Sequence, residues 1–219
     1  MIKADKVIKS KRKTLSLSVD KDGRVTVRAP YSCSDKRIEE FLIENQGWIN
    51  RQKERIRKNS EAFSDFGVFD NGKFLLLGKV FTIRMSEVSA CEIEERVIYL
   101  PKTNPEKELE KTLKRIALNY FTERTEYFSS LSSLVPSSVK VSSAKTRWGS
   151  CSRERRINFS FYLIMCPVDV IDYVIVHELC HIKHMNHSSA FWEEVKKYIP
   201  DYREKRKWLR DNRYIIDNI

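Results

Sequence analysis

Between residues 12 and 29 the chain alternates apolar and polar positions: Leu15, Leu17 and Val19 share one side, and after Asp22-Gly23 so do Val25, Val27 and Ala29. A period of two on either side of an Asp-Gly pair predicts a β-hairpin. The period then lengthens. Ser34 and Asp35 can cap a helix running to about Lys58, with Ile38, Phe41, Leu42, Ile49 and Ile56 at helical spacing and Trp48 beside them. Asn45 is the one polar interruption of that stripe, which is expected to pack on the hairpin.

Strand patterning returns with Phe74 to Leu77 and Val80 to Met85, joined by Gly78-Lys79 after an Asn71-Gly72 turn signal, and Val97 to Leu100 adds a further strand. Pro101 and Pro105 punctuate the next boundary. From Pro105 to about Leu134 the positions Leu109, Leu113, Ile116, Ala117, Tyr120, Phe121 and Phe128 predict one long amphipathic helix, with Pro105 suited to its first turn. Val139 to Ser143 and Ile157 to Leu163 read as strands bracketing a loop at Thr146 to Ser152. The expected fold class is therefore α+β. A β-rich part with one helix over residues 1–100 precedes a helical part with a small sheet over 101–219, and the two can merge into one compact unit.

Composition narrows this picture only slightly. The 41% hydrophobic and 32% charged residues are ordinary for a globular chain, and 6 Gly and 6 Pro leave room for few long loops. No apolar run reaches the roughly 18 to 20 residues that span a bilayer. The N-terminal MIKADKVIKSKRK lacks an apolar stretch after its charges, so no secretory signal is expected. Five cysteines, Cys33, Cys91, Cys151, Cys166 and Cys180, are scattered without CxxC pairing, and a reducing cytoplasm is the expected setting. The formal charge is +11, and residues 1–60 carry +8 of it. Lys9 to Lys13 and Arg51 to Lys58 thus form either a surface for nucleic acid or another acidic partner, or ordinary solvated faces.

The four histidines change the picture most. His177, His181, His184 and His187 all lie within eleven consecutive residues. Val168, Ile171, Ile175, Leu179 and Ile182 predict a helix from Pro167 to at least Ile182. On it His177 and His181 differ by about 40° in direction and stand one turn apart, so both rings can meet one ion. Glu178 emerges beside them, where a carboxylate can take a proton from the attacking water. A catalytic zinc needs three protein ligands and an open position. His187 is the leading third ligand if the chain turns back after about His184, a bend that Asn186 can help to make. His184 itself, about 10 Å further along a straight helix than His177, and then Glu193 or Glu194, are the alternatives. Arg147 can either face the site and stabilise an oxyanion or merely pack. Trp148-Gly149 can wall a cleft or mark a close backbone approach, and Phe191 and Trp192 read as core. Cys151 is disfavoured as a nucleophile, because every histidine is already gathered at the metal motif.

Three stretches carry a family resemblance: TRWGSCS at Thr146 to Ser152, Ile157 to Tyr162 with Pro167 to Tyr173, and HELCHIKHMNHSSAFW at His177 to Trp192. With Arg28-Ala29-Pro30 and Gln46 to Trp48, they make the chain similar to the YgjP-like metallopeptidase family, relatives of SprT-type and other zincin proteases. The resemblance implies a zincin-like catalytic part with Zn2+ on His177, His181 and His187, Glu178 as general base, and a protein or peptide as substrate. His184 stands where metzincins have Gly, so the turn toward the third ligand is expected to be made differently. SprT-type relatives act on proteins attached to DNA, which by analogy alone would give the basic N-terminal region a role.

Overall fold

The computed structural model describes residues 3–20, 22–63 and 72–213. It divides into two compact units, Met1–Ser64 and Asp65–Ile219. The boundary expected near residue 100 falls inside the second unit.

In the first unit, strands β1 (Lys6–Ser10), β2 (Ser16–Val19) and β3 (Val25–Pro30) form a sheet of order β1-β3-β2. The hairpin β2-β3 follows the alternation, pairing Val19 with Val25 and Leu17 with Val27. Its turn is locked by the Asp20 carboxylate, which accepts the backbone N–H groups of Asp22 (3.0 Å) and Arg24 (2.9 Å). Gly23 supplies the positive φ of 77° that the turn requires. The strand β1, which has no strong alternation, joins in parallel to β3. The helix expected to run to Lys58 is two helices, α1 (Asp35–Glu44) and α2 (Gln46–Phe63). Asn45 ends the first: its backbone N–H and its side-chain amide both bond back to the Phe41 carbonyl. Val25, Val27, Ala29 and Ile49 are fully buried with Ile38 and Leu42, so the predicted stripe is the core of this unit. Part of the basic charge is answered locally, by Lys9 on Asp35, Arg37 on Glu40 and Glu44, and Arg57 and Lys58 on Glu54.

The second unit opens with β4 (Lys73–Leu76), β5 (Lys79–Ser86), β6 (Glu92–Glu94) and β7 (Val97–Pro101), ordered β4-β5-β7-β6. The Asn71 half of the expected Asn71-Gly72 turn lies outside the described residues. The long helix α3 (Pro105–Ser132) follows, then β8 (Ser138–Ser142), β9 (Gly149–Cys151) and β10 (Arg156–Ser160), which form a sheet of order β8-β10-β9. A 3-10 turn (Phe161–Met165) leads into α4 (Val168–Cys180), and α5 (Ser189–Tyr198) and α6 (Tyr202–Asp211) complete the unit.

The β4-β5 corner belongs with the helices because its backbone is bonded to them. Leu77 N–H donates to the Ile164 carbonyl (2.7 Å) and Gly78 N–H to that of Met165 (3.2 Å). A Cβ on Gly78 would lie 2.9 Å from Pro167 Cα, so the corner closes on the start of α4 only with glycine there. Phe74, Ile98 and Leu100 of this sheet share one core with Phe121 of α3, Phe159 of β10 and Ile171 and Ile175 of α4. Helix α4 is the centre of that core. Val170, Ile171, Tyr173, Val174, Ile175, Val176, Leu179 and Cys180 are all buried, so it is covered on most sides rather than along one stripe. The Arg124 guanidinium clasps Asp172 with two bonds of 2.8 and 2.7 Å, fixing α3 to α4. The fold class is α+β as expected. No helix among the described residues is long and apolar enough to cross a membrane.

Candidate metal centre

The motif histidines sit at the C-terminal end of α4. His177 and His181 are one turn apart, as the helical period requires, with ring centroids 4.9 Å from each other. The helix stops at Cys180 and tightens: Ile182 N–H donates to the Leu179 carbonyl, and Lys183 and His184 N–H both donate to that of Cys180. The chain then returns to Ser188, whose hydroxyl caps α5 by accepting Phe191 N–H at 3.4 Å. His187 immediately precedes that cap and is brought back over α4. Its ring centroid is 5.0 Å from that of His177 and 4.8 Å from that of His181. One ligand nitrogen from each of the three rings lies within 4.8 Å of the others.

The alternatives are directed elsewhere. His184 Nε2 lies 3.9 Å from Glu194 Oε2, and Glu194 also takes Lys183 at 2.8 Å and Lys197 at 3.0 Å. Glu193 is exposed. Cys180 is fully buried in the core.

Phe191, fully buried, is the floor of the site. Its ring stacks on His181 (4.6 Å, 29°) and meets His177 and His187 edge-on, each at 4.9 Å. Trp192 stacks on His187 (5.5 Å, 23°) and on Tyr202 of α6 (5.1 Å, 14°), while the Arg206 guanidinium lies 5.0 Å over the indole. The core reading of the Phe-Trp pair is therefore incomplete. Both rings are packed, and both hold the histidines in place. The contribution of Tyr202 and Arg206 carries no local sequence signal, because α6 reaches the site only through the tertiary fold.

Protonation suits metal binding. Burial, reinforced by the neighbouring His181 and His187 and by Arg206, pushes His177 down to about 3, so its ring is neutral at physiological pH. Burial also lowers His181, against a hydrogen bond to the His184 backbone. That bond, His181 Nδ1 to the His184 carbonyl at 3.0 Å, fixes the tautomer: a carbonyl only accepts, so Nδ1 carries the proton and Nε2 keeps its lone pair. His187 Nε2 and His177 Nε2 face each other at 3.1 Å. Two nitrogens bound at 2.0–2.1 Å to one tetrahedral zinc stand about 3.4 Å apart, so this spacing fits a shared ion. His177 Nδ1 is buried without a hydrogen-bond partner among the described residues, leaving Nε2 as the working atom of that ring.

Glu178 turns to the other neighbour of α4, the strand β9. It is 5% exposed, and burial raises its carboxyl to about 8, with the Arg147 cation pulling it back down. Gly149 lies directly against it: a Cβ there would stand 2.7 Å from Oε1 and 2.8 Å from Cγ. The Thr146 to Ser152 segment thus holds a strand where a loop is predicted, and the Trp-Gly pair is the close approach that was its alternative reading. Arg147 is exposed. Trp148 packs against the main core.

Three converging imidazoles, with the buried Glu178 next to His177 in the chain, make a donor set able to hold a divalent metal. The comparisons with known proteins carry this to a family. The pattern described as YgjP-like, metallopeptidase domain, matches residues 13–212, and the chain belongs to the YgjP-like metallopeptidase family. It is accordingly a peptidase whose substrate is a protein or peptide and whose chemistry calls on a divalent metal. Among solved structures it is similar to the metallopeptidase zymogen of Pyrococcus abyssi abylysin, at 22% identity and a TM-score of 0.38, over 41% of this chain and 92% of that one. No curated protein matches the chain.

Proposed function

We propose that the protein is a zinc peptidase in which His177, His181 and His187 hold the ion and Glu178 is the general base. The observation that carries this reading is the convergence of three imidazole nitrogens within 4.8 Å of one another, with the buried Glu178 on the same helix. When bound, zinc supplies a Lewis acid that polarises a scissile carbonyl and acidifies water.

The remaining roles fall to the chain. Glu178, enclosed by α4 and by Gly149, accepts the proton of the attacking water and returns it to the leaving amine. Its raised pKa puts the free carboxyl near neutrality, where a base can both take and give a proton. The edge strand β9 offers the substrate a place. Trp148 O accepts from Ser160 N–H and Ser152 N–H donates to Arg156 O, so residues 148 and 152 turn their backbone groups toward β10. By alternation, Gly149 and Cys151 turn theirs to the free edge of the sheet. An extended peptide pairing there passes alongside Glu178. Arg147, the cation close enough to Glu178 to lower its pKa, is available to negative charge developing on the substrate.

The test is Glu178→Gln, which keeps the shape of the side chain and removes the base. The variant should retain the metal and lose turnover of an unfolded protein that the wild type cleaves. Full activity in the variant would remove Glu178 from this role.

A further inference from the structure

Among the described residues, Glu178 and Glu194 are the charged side chains buried in the core. The first follows His177 on α4 and packs against Gly149, whereas the second lies on α5, where the mechanism makes no use of it. A carboxylate is buried only where its partners offset the loss of water. Glu194 Oε2 accepts Lys183 Nζ at 2.8 Å and Lys197 Nζ at 3.0 Å, Oε1 accepts the Tyr198 hydroxyl at 3.5 Å, and His184 Nε2 is 3.9 Å from Oε2.

Two of these partners, Lys183 and His184, belong to the turn between α4 and α5. That turn brings His187 back over the helix, and its His184 carbonyl receives the Nδ1 proton of His181. Phe191 and Trp192 of α5 pack on the rings of His181 and His187, and Glu194 ties the same turn to α5 through the Lys183 ammonium.

We propose that Glu194 is a positioning residue for the metal centre: by holding Lys183 against α5, it fixes the adjoining His184 carbonyl that orients His181 and the path that presents His187. The inference rests on the three-histidine reading above. Without the grip the turn is free to shift, the His181 ring loses its fixed tautomer and direction, and ligand convergence is lost before the fold is. Orientation of a ligating histidine through the hydrogen bond on its second nitrogen commonly governs metal affinity by about 10- to 100-fold.

The test uses the full chain stripped of metal by chelation, with Zn2+ titrated against a chromophoric chelator, and Co2+ absorption recorded at saturation. Glu194→Gln keeps the shape and one acceptor for the lysines, so the fold survives. Its zinc affinity should fall about tenfold or more, and its Co2+ ligand-field band should move. Arg124→Met, which breaks the α3–α4 clasp away from the site, should lower the Tm and leave both metal readouts at wild-type values. The proposal is overturned if Glu194→Gln binds zinc within about twofold of wild type with an unchanged Co2+ band, or if Arg124→Met reproduces its loss. The reading beneath it has its own control. If the wild type binds no zinc, or His187→Ala binds as tightly as the wild type, the three-histidine centre itself fails and Glu194 has nothing to position.

Discussion

Gly149 and Glu178 touch where a side chain on the first would collide with the second: a Cβ at position 149 would lie 2.7 Å from Glu178 Oε1 and 3.0 Å from Cδ. Gly149 is not among the residues of positive φ, so the reason for glycine is space rather than backbone conformation. Strand β9 therefore sets the depth at which the carboxyl sits over α4. Gly149→Ala should push Glu178 aside and lower kcat about 100-fold, the scale of a displacement of about 1 Å at a reacting group. Zinc affinity should stay close to wild type, because no ligand is moved. Equal activity of the two proteins on the same peptide would show that Glu178 tolerates displacement and is not the base.

Cys151 lies two residues further along the same strand. Burial, with Glu178 adding to it, pushes its thiol up to about 11, so at neutral pH it is protonated and a poor nucleophile. Cys151→Ser should keep kcat/KM within about threefold of wild type. A loss of more than about 100-fold would point to covalent thiol chemistry in place of water attack.

Glu194 gives a pH dependence of defined sign. The Lys183 ammonium, followed by Lys197, holds its carboxyl below the ordinary value against the opposing effect of burial. A folded-state pKa below the unfolded one contributes stability above about pH 4.3, and that stability is lost as pH falls through the folded value. In metal-free protein, Glu194→Gln should therefore be less stable than wild type at pH 7, by about 1–3 kcal/mol for a buried charge-assisted group. The gap should narrow as pH falls below the ordinary carboxylate value of about 4.3 and through the lowered folded value, where the wild-type carboxylate takes up its proton. A Tm difference that stays constant from pH 7 to pH 3 would deny the carboxylate this role.

The clasp between Arg124 and Asp172 is partly shielded, with side chains 26% and 14% exposed. Arg124→Met should cost about 1–3 kcal/mol of stability. Asp172→Asn in the same background should add little, since the two changes remove one interaction. Additive losses in a thermal or urea titration would show that the pair is not coupled.

Local patterns were legible where a residue's partner lies nearby in the chain. The β2-β3 hairpin follows from alternation and Asp22-Gly23, and α3 follows from its apolar period and Pro105. The pairing of His177 with His181 is set by the helical repeat, and the return of His187 by the short reach from the end of α4 to the Ser188 cap. What the sequence hid depends on distant contacts. The β1 strand, KVIKS, has no strong alternation and is held by parallel pairing to β3. Asn45 divides one apolar stripe between two helices by capping the first. Gly149–Cys151 becomes a strand because β10 pairs with it. The strands from Lys73 to Pro101 join the helical unit through Leu77 and Gly78, whose partners lie nearly ninety residues later. Tyr202 and Arg206 reach Trp192 across a helix boundary, so neither spacing nor motif announces them.

Metal content is the most direct test of the central claim. Protein purified without added metal should carry about one zinc per chain by elemental analysis, in keeping with a single three-imidazole site. His187→Ala, purified in parallel, should have lost most of it. A wild type devoid of divalent metal, or a His187→Ala protein that keeps its full complement of zinc, would contradict a centre built from His177, His181 and His187.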